Sequence, residues 1–254
     1  MGVSLPRRTC QRHRPAGTGV GMTAPPFAIV GFDLDGTLID TSGDLTAAVN
    51  HALDHAGRPL LDEAQVKTMV GGGAKHMLAQ ALEATGGCSE EDFRSHYKRM
   101  LAFYGANLSV HSRPFPGALD ALDALAEAGV RLGIVTNKFE GFATRLLADL
   151  DLADRFDCII GGDTLGPGNA KPSPRPIQAM VERCGGGDAV FVGDSIYDVL
   201  AAKNAGLPAV AVRFGFLLQP PEALDADAII DDFAGLMPVL DRLSATWSTG
   251  VAPA

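Results

Sequence analysis

Short apolar runs alternate along the chain with stretches of helical periodicity, and this alternation is the feature that most limits the possible folds. Each run has the length of a strand and is bounded by Gly, Pro, Asn or Asp, as buried parallel strands tend to be. Four of them follow one another in the second half of the chain: 130–137, 157–163, 189–195 and 209–214. They predict a sheet of parallel strands.

The stretches between these runs have the spacing of helices. In "ALDALDALAEAG", Leu119, Leu122 and Leu125 recur at helical intervals, and Gly129 suits the end of a helix. Residues 141–152 form a second stretch of this kind. A β-α-β-α order places helices on both faces of a parallel sheet. The predicted fold class is therefore α/β, with a Rossmann-like core.

Residues 43–112 interrupt the alternation, since they contain no clear strand. Seventy residues are too many for a loop in a compact domain. An apolar stripe at helical spacing (Leu45, Ala48, Val49, Ala52 and Leu53) predicts that this segment is helical. We therefore expect a helical cap domain at 43–112, inserted into a core domain made of 26–42 and 113–245. Residues 1–25 are expected to be a disordered tail.

Charge and cysteine content exclude some functions. The formal net charge of −9 argues against binding to nucleic acid, which needs a basic surface. No apolar stretch approaches the roughly 20 residues of a membrane span, so no membrane partner is expected. Four dispersed cysteines (Cys10, Cys88, Cys158 and Cys184) form no CxxC pair and fit a reducing cytoplasm. The oligomeric state, monomer or dimer, is left open.

Two carboxylates interrupt the first apolar run, "AIVGFDLDGTLID", at residues 28–40. Asp33 and Asp35 stand where the predicted strand ends, and ligands of open parallel sheets bind at such ends. Two neighbouring carboxylates can be held in different protonation states, which suits one to be a nucleophile and the other a general acid. Taken alone, the pair is also compatible with a turn or a helix cap.

Three further polar groups follow predicted strands or loops in the same way. Thr136 and Asn137 end "GIVTN", Lys171 lies in the Pro-rich "NAKPSPRP", and Asp194 and Asp198 stand four residues apart in "VGDSIYD". Each has an ordinary alternative: a helix N-cap for Thr136 and Asp194, and a solvated loop lysine for Lys171.

Taken together and in this order, the groups indicate one composite site. Four carboxylates at one edge of a sheet repel each other unless a divalent cation and a lysine offset their charge. A phosphate dianion could enter only beside those cations. The set therefore predicts phosphoryl transfer assisted by Mg²⁺, with a small phosphorylated metabolite as the partner.

The motifs "DLDGT", "VTN", the lysine of "KPSP", and "GDSIYD" resemble the four motifs of the haloacid dehalogenase superfamily of phosphohydrolases. The resemblance runs from Phe27 to about Leu243. Within the superfamily the chain is most similar to phosphoglycolate phosphatases, through "MVGGGAKHMLAQAL" in the insert and "GGDT" before the motif lysine. The resemblance implies a Mg²⁺-dependent phosphatase that hydrolyses 2-phosphoglycolate through an aspartyl-phosphate.

The resemblance also implies a role for each motif residue. Asp33 would be the nucleophile, and Asp35 would protonate the leaving alcohol and then activate water. Phosphoryl oxygens would be held by Thr136, with Asn137 beside it, and by Lys171. The implied Mg²⁺ ligands are Asp33, the backbone carbonyl of Asp35 and Asp194, with Asp198 in support.

Lys75, in the loop "GGGAKH", is a further candidate for substrate binding, because it could pair with the carboxylate of phosphoglycolate if the loop closes over the site. A flexible turn between cap helices explains the loop equally well. Other functions on the same site stay open: hydrolysis of a sugar phosphate or another metabolite, a phosphomutase, or a phosphate-binding protein without activity.

Overall fold

The computed structural model describes residue 25 and residues 27–247. Nearly all of the predicted tail, 1–25, therefore lies outside the described residues. The described strands, in chain order, are β1 (Ile29–Phe32), β2 (Ile39–Asp40), β3 (Arg113–Pro114), β4 (Arg131–Val135), β5 (Cys158–Ile160), β6 (Ala189–Gly193), β7 (Ala209–Val212) and β8 (Ala228–Ile230). The helices are α1 (Ser42–His55), α2 (Glu63–Lys67), α3 (Ala74–Ala84), α4 (Glu90–Ala106), α5 (Ala118–Glu127), α6 (Glu140–Asp149), α7 (Arg175–Arg183), α8 (Ile196–Asn204) and α9 (Leu236–Trp247).

Six of the strands form one parallel sheet in the order β5-β4-β1-β6-β7-β8. The first strand of the chain is thus in the middle, and later strands are added on either side of it. Phe32, the last residue of β1, pairs with Ile134 on one side and Val192 on the other. The three central strands therefore end at the same level. Open α/β sheets bind ligands at the point where the order of strand addition reverses, which here is next to β1.

Helices cover both faces of the sheet, as the sequence predicts. Leu122 of α5, Leu146 of α6 and Leu240 of α9 are buried in a cluster against one face. Ile177 of α7 and Val199 of α8 belong to a second cluster against the other face. The apolar runs are continuous because both sides of each central strand are buried. The predicted α/β fold with a parallel core is confirmed.

Some details differ from the sequence-based prediction. The strands are shorter than the apolar runs, and the run 157–163 contributes only Cys158–Ile160 to the sheet. The edge strand β8 was not predicted, since its three residues are too few to show a pattern. Leu119 was expected on the buried stripe of α5 but is 38% exposed, because Ala118 and Ala121 occupy the buried face with Leu122.

Between β2 and β3, the chain forms four helices, α1 to α4, with a hydrophobic cluster of their own. The predicted stripe on α1 is buried at all five positions: Leu45, Ala48, Val49, Ala52 and Leu53. The two connections to this helical region lie side by side, because Ile39 and Asp40 pair with Pro114 and Arg113 in a short antiparallel ladder. The division into a core domain and a cap domain at residues 43–112 stays a prediction.

A search of the described helices finds none that is both long enough and apolar enough to cross a membrane.

Candidate active site

The site lies at the carboxyl ends of the three central strands. Asp33 follows β1 directly, Thr136 follows β4 and Asp194 follows β6. Because these strands are neighbours and end at the same level, the three side chains meet at one edge of the sheet. Each side chain is almost completely buried, although each is polar. The sequence-based expectation that these residues converge therefore agrees with their placement.

Gly36 allows the chain to pass close to this edge. Its φ of +85° lies in the left-handed region that favours glycine. A Cβ atom at this position would also collide with a carboxylate oxygen of Asp194 and with the ring of Phe216. Any other residue would therefore push the loop that carries Asp35 away from Asp194.

Lys171 binds two carboxylates in the buried interior of the site. Its Nζ lies 2.7 Å from Asp33 Oδ1 and 2.6 Å from Asp198 Oδ1. Asp198 Oδ1 accepts a hydrogen bond from this ammonium group. Asp33 Oδ1 forms an ion pair with the same ammonium group, without a well-aligned hydrogen bond to any described residue.

Burial and charge shift the pKa values of these groups. Burial raises the pKa of Asp33 to about 7, and the charge of Lys171 opposes this shift only in part. Burial would lower the pKa of Lys171, but the charges of Asp198 and Asp33 outweigh it and raise the pKa. Lys171 is therefore an ammonium group at neutral pH, whereas the charge of Asp33 depends on its surroundings.

Asp194 and Asp198 complete a group of acids that fits a divalent cation. Oxygens of Asp33, Asp194 and Asp198 lie within 4.8 Å of one another, and all three residues are buried. Burial, followed by the charges of Asp198 and Asp33, raises the pKa of Asp194 well above its ordinary value. Hard divalent cations prefer carboxylate oxygens. The donor set fits such an ion.

The position of Asp198 is set by the start of helix α8. Its Oδ2 accepts hydrogen bonds from the backbone N–H of Ser195, at 2.9 Å, and from the Ser195 hydroxyl, at 2.6 Å. The two residues form a capping box at the start of the helix. Asp194 Oδ2 accepts from the Phe216 N–H at 2.7 Å. The N-cap residue is therefore Ser195 and not Asp194, and Asp198 takes part in the cap in addition to its contact with Lys171.

Asp35 is held by a lysine that the sequence analysis did not single out. Lys138 Nζ lies 2.5 Å from Asp35 Oδ1, and the same oxygen accepts from the Thr41 hydroxyl at 2.7 Å. Burial would lower the pKa of Lys138, but Asp35 and Tyr104 outweigh it and raise the pKa. In the sequence, only the position of Lys138 immediately after "VTN" could have indicated that it belongs to the site. Loop lysines are mostly solvated, so that signal is weak.

A small cavity of about 60 Å³ opens above the aspartates. Asp33, Asp35, Thr136 and Lys138 form its floor on the core side. The helical region supplies most of the rest of the lining, which is largely apolar. These wall residues are Leu45, Ala48, Val70, Gly71, Gly73, Ala74, Met77, Met100, Leu101 and Tyr104. A reaction at Asp33 would therefore take place under a cover that limits the access of water.

Asn137 links this cover to the core. Its side-chain NH₂ donates to the carbonyls of Gly71, at 2.8 Å, and Lys171, at 3.1 Å, and its Oδ1 accepts from the Lys171 N–H at 2.9 Å. The side-chain amide is thus engaged in holding two loops. Asn137 would therefore bind phosphate through its backbone N–H, and this role stays a prediction.

Lys75 does not reach the cavity above the aspartates. It is exposed and lines a separate cavity with Glu83, Phe93 and Tyr97, between α3 and α4. Helix α3 begins at Ala74, so Lys75 is fixed on the first turn of a helix rather than in the mobile loop that we expected. Gly71 and Gly73 of the same loop do line the site. A contact between Lys75 and substrate stays a prediction and requires α3 to change position.

The fold and the site correspond to a known class of enzymes. The chain matches the family model described as haloacid dehalogenase-like hydrolase over residues 30–212. The chain therefore belongs to the haloacid dehalogenase-like hydrolase family, as the resemblance of its motifs implies.

Within this family, the chain is similar to proteins named phosphoglycolate phosphatase. It is 42% identical to the one from Agrobacterium fabrum over 219 residues, which cover 85% of this chain and 92% of that protein. It is 41% identical to the one from Rhodospirillum rubrum, over 90% of this chain and all of that protein. A crystal structure of a predicted phosphoglycolate phosphatase from Haemophilus somnus superposes with a TM-score of 0.79, at 32% identity, and covers 86% of this chain and 99% of that one.

The raised pKa of Asp33 predicts how stability depends on pH. The native state keeps a proton on Asp33 up to about pH 7, whereas the unfolded chain releases it near the ordinary value of 3.8. Because the native state binds more protons in this window, the free energy of unfolding should fall as the pH rises from about 4 to about 7. The loss is on the order of a few kcal/mol.

A divalent cation should reverse this loss, since it stabilises the charged carboxylates. We expect millimolar Mg²⁺ to raise the Tm strongly above about pH 7 and little near pH 5. Thermal unfolding in Mg²⁺ and in EDTA at both pH values is the measurement, with Asp33→Asn as the matched control. An equal rise in Tm at both pH values would contradict the expectation.

Proposed function

We propose that this phosphoric monoester hydrolase is a Mg²⁺-dependent phosphatase that converts 2-phosphoglycolate to glycolate and phosphate. The observation that carries the proposal is the buried pairing of Asp33 with Lys171 at the end of the central strand, under a covered cavity. The names of the relatives, which cover most of this chain, support the choice of substrate.

In the first half of the reaction, Asp33 is the nucleophile. Its Oδ1, which Lys171 holds at 2.7 Å, is the oxygen that would form a bond to phosphorus. As that bond forms, the bond between phosphorus and the ester oxygen breaks, and Asp35 gives a proton to the departing alkoxide. The product of this step is an aspartyl-phosphate on Asp33.

In the second half, water attacks the aspartyl-phosphate. Asp35, now a carboxylate, takes a proton from this water, and the bond between phosphorus and the Asp33 oxygen breaks. One residue can serve as acid and then as base because the same place is first occupied by the leaving alcohol and then by water. Thr41 and Lys138 hold Asp35 at the position that both steps need.

The cations of the site offset the charge of the phosphoryl group. Lys171 lies beside the attacking oxygen, and Thr136 offers a hydroxyl at the end of the neighbouring strand. Mg²⁺, when bound by Asp33 and Asp194 with the backbone carbonyl of Asp35, would neutralise negative charge on the phosphoryl oxygens and on the acids themselves. Asp198 keeps Lys171 in place through its contact of 2.6 Å.

The lining of the cavity favours a short substrate over a sugar phosphate. A sugar brings several hydroxyl groups, and each needs a polar partner when it leaves water. Most of the walls, such as Leu45, Met77 and Met100, offer none. We therefore propose a phosphorylated small acid rather than a hexose phosphate, although the acids of the floor would serve both reactions.

The experiment is a panel of phosphate esters that includes 2-phosphoglycolate, a hexose phosphate and p-nitrophenyl phosphate, assayed with Mg²⁺ and with EDTA. We expect hydrolysis that requires Mg²⁺ and the highest kcat/KM for 2-phosphoglycolate. A hexose phosphate preferred by roughly tenfold would contradict the substrate assignment. Absence of hydrolysis for every ester would favour a phosphate-binding protein without activity.

We also propose that the enzyme works in the cytoplasm. The acidic composition and the cysteines without paired spacing support this proposal. Cys88, Cys158 and Cys184, the cysteines that the structure describes, are free thiols.

A further inference from the structure

The leaving-group side of the cavity can be located from Asp35. In the proposed reaction Asp35 protonates the leaving oxygen, so this oxygen lies beside its carboxyl group. Lys138 Nζ is 2.5 Å from the same carboxyl group. Lys138 is therefore a candidate to contact the atoms of the substrate that follow the leaving oxygen.

Lys138 has binding capacity that the fold does not use. An ammonium group has three donors. Among the described residues, Asp35 accepts one of them, and the Tyr104 hydroxyl lies close enough to interact with the same ammonium group. The side chain of Lys138 is 4% exposed, so a donor that faces the cavity has little access to bulk water. The charge of the ammonium group is already paired with Asp35, but its remaining donors favour a ligand that offers acceptor oxygens.

Tyr104 of helix α4 presents a second unused polar group in the same cavity. The residue is 5% exposed, and its hydroxyl oxygen is buried beside the Lys138 ammonium group without a well-aligned hydrogen bond to any described residue. Its ring is placed edge to face against Phe142, with centroids 5.5 Å apart, and lies 5.0 Å from Lys138 Nζ. Buried hydroxyls are rarely left unpaired. A ligand in the cavity would provide the missing partner.

Among the described residues that line the cavity, no other side chain offers polar contacts on this side. Apart from Lys138 and Tyr104, its polar side chains are Asp33, Asp35, Thr136 and Asn137. The first three belong to the reacting groups or to the proposed phosphate contacts, and the amide of Asn137 is engaged by backbone groups.

We propose that Lys138 and Tyr104 together bind the end of the substrate opposite its phosphate, and that this end is a carboxylate one carbon from the ester oxygen. The inference rests on the proposed function and assigns its substrate specificity to two residues. Lys138 donates from the core and Tyr104 from the cap helix α4, so a carboxylate between them also ties the cap to the core. Substrates without this group would lose the contact to the cap.

The test compares Tyr104→Phe with wild type on 2-phosphoglycolate and on ethyl phosphate, which has the same length but a methyl group in place of the carboxylate. Phe keeps the ring against Phe142 and removes only the hydroxyl. We expect kcat/KM for 2-phosphoglycolate to fall roughly tenfold or more relative to kcat/KM for ethyl phosphate, chiefly through KM. Tyr97→Phe is the matched control, because Tyr97 is on the same helix but lines the separate cavity of Lys75.

Two readouts separate the possible failures. Wild-type enzyme that hydrolyses ethyl phosphate better than 2-phosphoglycolate would overturn the proposed function, and the inference with it. Wild-type enzyme that prefers 2-phosphoglycolate, with equal losses for both esters in Tyr104→Phe, would overturn the inference alone. Thermal unfolding should show at most a small loss of stability in Tyr104→Phe, because the hydroxyl makes no well-aligned hydrogen bond to a described residue; a large fall in Tm would also count against the proposal. Lys138 is less suitable for this test, since it also holds Asp35.

Discussion

Replacement of Asp33 by Asn is expected to lower kcat by about three orders of magnitude or more, on every phosphate ester that the enzyme hydrolyses. Asn has the shape of Asp but no anionic oxygen that can attack phosphorus. The loss should be the same for esters with good and poor leaving groups, because the variant cannot form the intermediate in either case. Steady-state hydrolysis with saturating Mg²⁺ is the measurement.

The same variant should be at least as stable as wild type when no metal is added. Asp33 is buried, and burial raises its pKa to about 7, so its charged form weakens the fold at neutral pH. Asn removes that charge, although Lys171 then keeps only Asp198 as a partner. Loss of activity without a fall in Tm would show that the substitution impairs the reaction and not the folding of the protein. Retention of about a tenth of the rate would exclude Asp33 as the nucleophile.

Replacement of Asp194 by Asn is expected to raise the half-saturating Mg²⁺ concentration by roughly a hundredfold. Asp194 ends β6 and has its oxygens near those of Asp33 and Asp198. Asn keeps an acceptor for the Phe216 N–H, which Asp194 Oδ2 binds at 2.7 Å, but removes the negative charge that attracts a cation. Activity should therefore recover in part at high Mg²⁺. The measurement is a Mg²⁺ titration of the rate.

Asp188→Asn is the matched control for this variant. Asp188 is exposed and directly precedes β6, so it lies at the opposite end of the strand that Asp194 follows. The same chemical change at this end should leave the Mg²⁺ dependence as it is in wild type. An unchanged half-saturating concentration in Asp194→Asn would exclude Asp194 as a ligand.

The placement of the acids could be predicted because it follows from the sheet. A polar residue directly after a buried parallel strand lies at the carboxyl edge of the sheet, whatever the conformation of the loops. Asp33, Thr136 and Asp194 follow three such strands. Lys171 lies in a loop, and only its place in the chain between the motifs "VTN" and "GDSIYD" indicated that it belongs to the site. The role of each of these residues in the reaction stays a prediction.

The lining of the cavity could not be predicted in this way, since it depends on how the helical region packs against the core. Tyr104 looks like any aromatic residue on the buried side of a helix. Lys138 looks like a solvated loop lysine, and the structure nevertheless buries it beside Asp35. Lys75 was expected near the substrate because of its glycine-rich loop, but helix α3 begins one residue before it.

The central claim is that hydrolysis passes through a phosphoryl group bound to Asp33. Asp35→Asn tests it with p-nitrophenyl phosphate, whose leaving group needs no proton donor, because this variant should form the intermediate and then lack the base that activates water. We expect a burst of one p-nitrophenolate per enzyme, followed by slow turnover, and a protein that has gained one phosphoryl group on the peptide that contains Asp33. No burst and no phosphorylated protein, or a phosphoryl group on a peptide without Asp33, would contradict the claim.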